Sequence, residues 1–408
     1  MIEQIIVIGT GMYSVGRGTD GYGTLLPAIG SFIEESGDAK PIVKFVGSRG
    51  KNAPGVVEKI EGYIAVSKRP FPYVVVPSVD EVLPDTYQEV IANAPKSSVV
   101  MVAVPDHLHY EVASFAVKFK LPCLVVKPLA PTYCEAKSLA DLCDNLRVYG
   151  VVEFHKRLDH ANLFIKQSLQ SKAIGQLLYS VVEYSQRRSI PEVIFRKWAR
   201  QTNIFQYLGV HYVDLCQYLT GAVPIRVSAV GQRGRLMTND VTEFDSITCQ
   251  VEWLKRETHS TFMQLFALNW IDPDSSPAMS NQRIKFVGTH GRIESDQTNR
   301  GLAIYSENAT YQTPNPYFCQ KFTTGTGEST WKGYGIDSVK RFLFDVVKLH
   351  RGIHTLRCLS QTRPTFQSCL PTAAVVDACN RSLRANGQWI SISEVTEDDS
   401  NNLRNDSS

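Results

Sequence analysis

The sequence predicts an α/β protein in two parts: a parallel sheet covered on both faces, then an α/β domain built on a mainly antiparallel open sheet. Three observations carry this expectation. Short apolar runs alternate with helical stretches through the N-terminal part, the pattern of a parallel sheet. From about Ile174 longer strands follow one another with few helices between them, as in an antiparallel sheet. The chain has 408 residues, 43% of them hydrophobic. That exceeds one compact core, since domains usually hold roughly 100 to 200 residues. The expected division is 1–130, 131–394 and an acidic, Asn/Ser-rich tail, 395–408, which cannot bury enough apolar surface to order itself.

Composition excludes several classes. Lys plus Arg number 43 against 40 Asp plus Glu, without a basic run, so there is no electrostatic footprint for nucleic acid or an anionic membrane. The nine cysteines are scattered and contain no CxxC, which argues against a disulfide framework or a zinc site. They read as small core residues of a reduced intracellular protein. Met1 to Ile8 lacks a positive leader and is cut short by Gly9, so it reads as a first strand instead of a signal peptide. No window approaches the roughly 18 apolar residues of a membrane helix. The expectation is a soluble, cytoplasmic protein without a structural metal.

Taken in order, the run Ile5 to Ile8 is followed at once by Gly9-Thr10-Gly11-Met12, where a dinucleotide-binding fold makes its tight turn and brings backbone N–H groups to a pyrophosphate. Ser14 stands in place of the third glycine. A literal GxGxxG, Gly16 to Gly21, follows no strand and lacks the context that gives the pattern meaning. The insertion from Tyr13 to Gly23 is then a loop near the cofactor phosphates, with Arg17 in reach of them, or a mobile surface loop. Thr24 is expected to cap a helix carrying Leu25, Ile29, Phe32 and Ile33 on one face, with Pro27 in its first turn. A second strand, Ile42 to Val46, ends at Gly47-Ser48-Arg49. An acidic residue here suits the ribose of NAD, whereas an arginine beside a hydroxyl suits the 2′-phosphate of NADP. Ser48 and Arg49 therefore favour NADP over NAD; the alternative is that Arg49 stacks on adenine or faces solvent.

Tyr73 to Val76 reads as a buried third strand, Val82 to Ala94 as a helix with Pro84 in its first turn, and Val99 to Val104 as a fourth strand. The turn Pro105-Asp106-His107-Leu108-His109 and a helical segment lead to a fifth strand, Cys123 to Val126, ending on Lys127-Pro128. Glu135 to Leu146 is a helix, leading to Val151 to Arg157. In the second part, 177–184, 225–231, 246–253, 261–268 and 282–287 are strands, and Phe205 to Leu219 is a helix closed by Gly221. Asp337 to His350 and Thr372 to Leu383 are amphipathic helices.

Open α/β sheets bind ligands beyond the carboxyl ends of their strands, so the 105–109 turn and Lys127 should face one crevice. Desolvation there would tune the Lys127 pKa, making it a candidate to hold or deprotonate a substrate hydroxyl; a strand-end lysine is otherwise simply solvated. His211 lies one turn after Tyr207 on one helix face, and an imidazole titrating near neutrality suits proton transfer from an alcohol; a satisfied core histidine is the simpler alternative. Trp198 lines the pocket or staples the core. Tyr334 and Asp337 approach the substrate from the second domain, or Asp337 merely starts its helix. His107 and His109 lack the companions a metal needs, so His109 reads as packing near the turn.

These motifs, in this order, resemble the glucose-fructose oxidoreductase, inositol dehydrogenase and rhizopine-catabolism (Gfo/Idh/MocA) family. Pro105 to His109 resembles the family's Pro-Asn-x-x-His, and Val126-Lys127-Pro128 its Glu-Lys-Pro. Lys156-Arg157 resembles the Arg-bearing strand after the linker helix, Ile174-Gly175 the opening of the second domain, Gly209 to Asp214 the Gly-x-His-x-x-Asp of the catalytic helix, and Gly288 to Glu294 a late strand-turn-strand. The resemblance implies a Rossmann domain, a nicotinamide cofactor held by Gly9, Thr10, Gly11, Met12, Ser48, Arg49, Pro105, His109, Lys127 and Arg157, and homodimers or homotetramers formed through the second sheet. It also implies that Lys127 and His211 flank a sugar or cyclitol hydroxyl, His211 exchanging the proton; Trp198 and Tyr207 are expected beside them as substrate contacts on the reading of the residues themselves.

Two departures stand out. Val126 replaces the family's glutamate, and Tyr207 replaces an aspartate one turn before the histidine. Tyr207 then serves as a substitute acid/base, its phenol easier to ionise close to Lys127, or sets the shape of the site. The activity expected is NAD(P)-dependent oxidation of a secondary alcohol or reduction of its ketone. The alternatives are NAD-dependent redox-elimination of a glycoside, or a catalytically silent cofactor-sensing protein.

Overall fold

The structure is a computed structural model and describes residues 1–37, 40–78, 81–236, 244–307 and 309–397. The chain divides into two compact units. The first comprises 1–129, 136–159 and 317–369; the second comprises 130–135, 160–316 and the chain from 370 onward. This corrects the division expected at 130. The reason is apolar. The helix Tyr334–His350 buries Ile336, Val339, Phe342, Leu343 and Val346 in the same cluster as Ile5, Val43, Phe45 and Ile29. A segment that completes a core belongs to that core wherever it falls in the chain.

The first unit is a six-stranded sheet of β1 (Gln4–Ile8), β2 (Ile42–Val46), β3 (Tyr73–Val76), β4 (Val99–Val102), β5 (Cys123–Val126) and β6 (Gly150–Glu153). Its order is β3-β2-β1-β4-β5-β6 and every pair is parallel. That is the doubly wound order of dinucleotide-binding folds, with the reversal between β1 and β4 opening a crevice at the carboxyl ends. β3 is an edge strand and only partly covered, so its expected burial is not found. The helix expected over 82–94 spans only Thr86–Ala92, because Val82 bridges to Arg49 and Pro84 lies outside it. β4 stops at Val102, and Thr24 precedes the helix Leu25–Glu35 without its side chain capping it.

The second unit's sheet contains β7 (Leu177–Arg187), β8 (Val223–Gln232), β9 (Ser246–Lys255), β10 (Ser260–Asp272), β11 (Ser280–Gly288) and β12 (Gly291–Asp296). The order is β12-β11-β7-β10-β9-β8, with the short strand Ile390–Ser391 beyond β8. Only β7 and β10 pair in parallel. Burial alternates along β10, as a sheet with one covered face requires: Phe262 and Phe266 are buried while Leu265 is exposed. Two of the sequence motifs meet here. A Cβ at Gly288 would lie 2.2 Å from the Ile174 carbonyl oxygen, and one at Gly175, whose φ is +74°, 2.1 Å from His290, so the turns close only with glycine.

The segment Phe205–Gly209 is a π-helical turn that runs into the α-helix Val210–Thr220, which ends on Gly221 in the left-handed region. Residues 392–397 are helical and Val395 is buried, so the tail does not begin at 395; 398–408 lie outside the described residues. Six of the nine cysteines are buried, all are unbridged, and Cys358 is exposed. No helix among the described residues is long and apolar enough to cross a membrane. Phe342 is 2% exposed and stacks on Tyr149 with centroids 5.8 Å apart. A Phe342→Ala substitution should therefore cost the first unit about 3–5 kcal/mol in urea unfolding, and a loss below about 1 kcal/mol would contradict its place in that core.

Candidate functional site

At the rim of the first unit, β1 ends in a turn whose glycines have different tasks. Gly9 has φ +100°, and a Cβ there would lie 2.1 Å from the Ala103 carbonyl oxygen, so the turn closes against β4 only without a side chain. Gly11 is extended, and nothing in the protein lies within 4 Å of a Cβ built on it. The open backbone beside Gly11 is the cradle a dinucleotide pyrophosphate requires, so Gly9, Thr10, Gly11 and Met12 fit that cofactor. Ser14 fills the third-glycine place fully buried, as a small residue. The insertion that follows is anchored: Arg17 Nε donates to the Thr10 carbonyl at 2.9 Å, Lys59 Nζ donates to the Gly21 carbonyl, and Tyr22 packs edge-on against Tyr63 and Trp331. Ser48 is exposed and Arg49 half-buried just beyond β2.

The turn after β4 is pinned to the end of β5. His109 is fully buried, with Nδ1 2.7 Å from the Pro128 carbonyl oxygen and Nε2 2.9 Å from that of Val104. Burial pulls its pKa below the ordinary value, against the nearby Asp106 and the two carbonyls. His109 thus fixes the Lys127-Pro128 turn, whose peptide bond is cis. Lys127 is half-buried, and desolvation lowers its pKa to about 8, with Asp106 and Glu153 opposing the fall. Such an amine sits close enough to neutrality to accept or give a proton.

The sequence reading missed the acidic centre of this rim. Glu153, 2% exposed at the end of β6, accepts hydrogen bonds on Oε2 from the Tyr13 hydroxyl and from His155 Nδ1, both at 2.8 Å. Burial works to raise its pKa, but His155 and the hydrogen bonds of His155, Tyr13 and Ser338 outweigh it and hold the carboxyl below its ordinary value. Burial first, and then Glu153, push the Tyr13 phenol well up. His155 packs against Phe318 and stacks on Tyr334, which belongs to the first unit and not to the second as expected. The one available signal was an acid closing an otherwise apolar strand, Val151-Val152-Glu153. Lys156 is buried and Arg157 half-buried in the same segment.

In the second unit, Tyr207 lies in the π-helical turn and His211, 4% exposed, in the first turn of the helix after it. Tyr207 belongs to an aromatic cluster, its ring centroid 4.8 Å from Phe195, 6.3 Å from Trp198 and 5.9 Å from Trp270. Amides hold the turn: Asn203 donates to Asn380, Asn380 to Gln206, and the Gln206 N–H to the Asn203 side chain. Asp337 lies in the first turn of its helix. Among the described residues no group of three or more His, Cys, Asp or Glu is placed to hold a metal.

The profile described as oxidoreductase family, NAD-binding Rossmann fold, matches residues 28–154, and that of the GFO/IDH/MocA C-terminal domain matches 163–294. The chain belongs to this oxidoreductase family. The first match begins beyond the glycine turn, so Gly9 to Met12 rest on geometry. The chain is 29% identical over 136 residues to levoglucosan dehydrogenase of Pseudarthrobacter phenanthrenivorans, covering 32% of this chain and 35% of that protein. It is 29% identical over 157 residues to the NADP(+) scyllo-inositol 2-dehydrogenase of Bacillus subtilis, covering 37% and 43%. The matched segments thus span well under half of these relatives. The crystal structure of scyllo-inositol dehydrogenase from Lactobacillus casei with NAD(H) and scyllo-inositol shares the fold, with a TM-score of 0.65 at 12% identity over 96% of this chain and 100% of that one.

The open space at Gly11 makes a clean test of the cofactor turn. A Gly11→Val protein should fold with wild-type stability yet lose at least about tenfold in dinucleotide affinity by fluorescence titration; unchanged affinity would remove the turn from the site.

Proposed function

We propose that the protein is an NAD(P)-dependent oxidoreductase moving a hydride between nicotinamide and a secondary alcohol or ketone of a sugar or cyclitol-like substrate. The observation that carries this reading is a lysine with a pKa lowered to about 8 on the same sheet rim as an open glycine turn. Bound cofactor supplies the hydride acceptor or donor. The protein's own task is then to hold the substrate oxygen and move its proton.

Lys127 is suited to hydrogen-bond that oxygen, as a donor to a ketone in reduction and as an acceptor from the hydroxyl in oxidation. His211 is the second proton-transferring group in this proposal, and imidazole chemistry near neutrality supports it. Tyr207 and Trp198, half-buried in their aromatic cluster, offer flat apolar faces of the kind that pack on the C–H faces of a sugar ring. The substrate class is supported by the names of the relatives, which act on an anhydrosugar and an inositol. Arg49 supports NADP as the preferred dinucleotide, through charge-assisted hydrogen bonds to a 2′-phosphate. The proposal keeps a homodimer or homotetramer formed through the second unit's sheet, where Tyr179, Val230 and Leu265 are exposed.

Lys127→Ala and His211→Ala should each lower kcat by about 10² or more on a sugar or cyclitol panel, and His211→Ala should do so with dinucleotide affinity unchanged. Full turnover in either variant removes that residue from the chemistry. Arg49→Ala should weaken NADP at least about tenfold and leave NAD binding unchanged; equal loss for both would assign Arg49 to the shared adenosine.

A further inference from the structure

Where the family's glutamate would precede Lys127, this chain has Val126. The carboxylate has not vanished from the rim. In the parallel ladder Val126 registers with Glu153 on the adjacent strand β6, so the acid sits one strand over at the same level of the sheet. Glu153 is buried, and its Oε2 is held by Tyr13 from the glycine-rich turn and by His155 from the segment after β6.

We propose that Glu153 is the positioning residue for Lys127, supplying from β6 the negative charge that the lysine's own strand lacks, and that Tyr13 ties this carboxylate to the dinucleotide turn. The inference rests on the reading of Lys127 as the group that meets substrate. A buried carboxylate with two donors on one oxygen is fixed in direction, and it acts on the neighbouring ammonium through a medium of low polarisability, where charge interactions are strong. The charged and titratable groups around Lys127 include Asp106 from the turn after β4, His109 from the helix beginning there, and Glu153 from β6. Around Glu153 stand Tyr13, His155 and Ser338. Asp106 and Glu153 oppose desolvation of the lysine, and His109 adds a like charge only when protonated. The sign follows: removing the Glu153 charge favours the neutral amine.

The test is competitive labelling of Lys127 by a small amine reagent across pH, read by mass spectrometry on the full chain. Wild type should show a midpoint near about 8. Glu153→Gln should lower it by about one unit, the scale of a lost opposite charge. Adding Val126→Glu to that variant, which returns a carboxylate to the lysine's own strand, should restore at least half the shift. If Glu153→Gln does not fold, Glu153→Asp, which draws the charge back by one methylene, should shift the midpoint the same way by less. A folded Glu153→Gln or Glu153→Asp protein with the wild-type midpoint, or a double variant that stays at the Glu153→Gln midpoint, overturns the proposal. Labelling needs no turnover, so the two readings separate. A protein inactive on every alcohol but showing the shift loses the dehydrogenase reading alone, whereas an active one without the shift loses Glu153 alone. In an active protein the acid limb of the kcat profile for alcohol oxidation should move down with the label midpoint, which a merely structural glutamate would not cause.

Discussion

Parallel pairing is the constraint on which the first unit depends. When every strand of the order β3-β2-β1-β4-β5-β6 runs the same way, all their carboxyl ends reach one rim and each chain must leave the sheet there. The backbone groups beyond the last ladder bond need partners, because a buried unpaired amide or carbonyl is costly. The rim meets that need locally. The Gly9 N–H donates to the Val46 carbonyl, and the Ala103 N–H to that of Ile8. His109 lies between the carbonyls of Val104 and Pro128. The same close approach that satisfies the backbone leaves Gly9 as the only residue its place admits.

Electrostatics follow from that geometry. Lysine at the end of a buried strand loses hydration, which lowers its pKa, and the carboxylates on the flanking strand ends limit the loss. The balance leaves an amine close to physiological pH, neither permanently charged nor permanently neutral. Glu153 keeps its own charge despite burial because three neighbours donate to it or attract it. The family's usual carboxylate and this one differ in strand but not in level along the sheet, so the departure at Val126 is a relocation of charge and not a loss. That counts against reading the missing glutamate as a sign of a silent site.

Much of this was legible in the sequence. β1, β2 and β5 fall where their apolar runs place them, and the Lys127-Pro128 turn and the Gly221 helix stop were readable from residue type alone. What was not legible depends on distant partners. Nothing local says that the helix Tyr334–His350 completes the first unit's core, since its apolar face would suit either unit. Thr24 has a capping residue's chemistry, yet its side chain makes no cap. The hydrogen bond between Tyr13 and Glu153 spans 140 positions of sequence, so only the fold discloses it. The Gly-rich insertion was open between two readings, and its anchoring by Arg17, Lys59 and Tyr22 comes from packing that no periodicity encodes.

The central claim concerns hydride transfer. Its most direct measurement offers the protein cyclitols and sugars deuterated at the carbinol carbon, with NAD or NADP, and follows the reduced dinucleotide by mass spectrometry. The account predicts deuterium on the reduced nicotinamide for at least one substrate, with transfer suppressed in Lys127→Ala. A protein that binds the dinucleotide tightly yet moves no deuterium from any of them would contradict it.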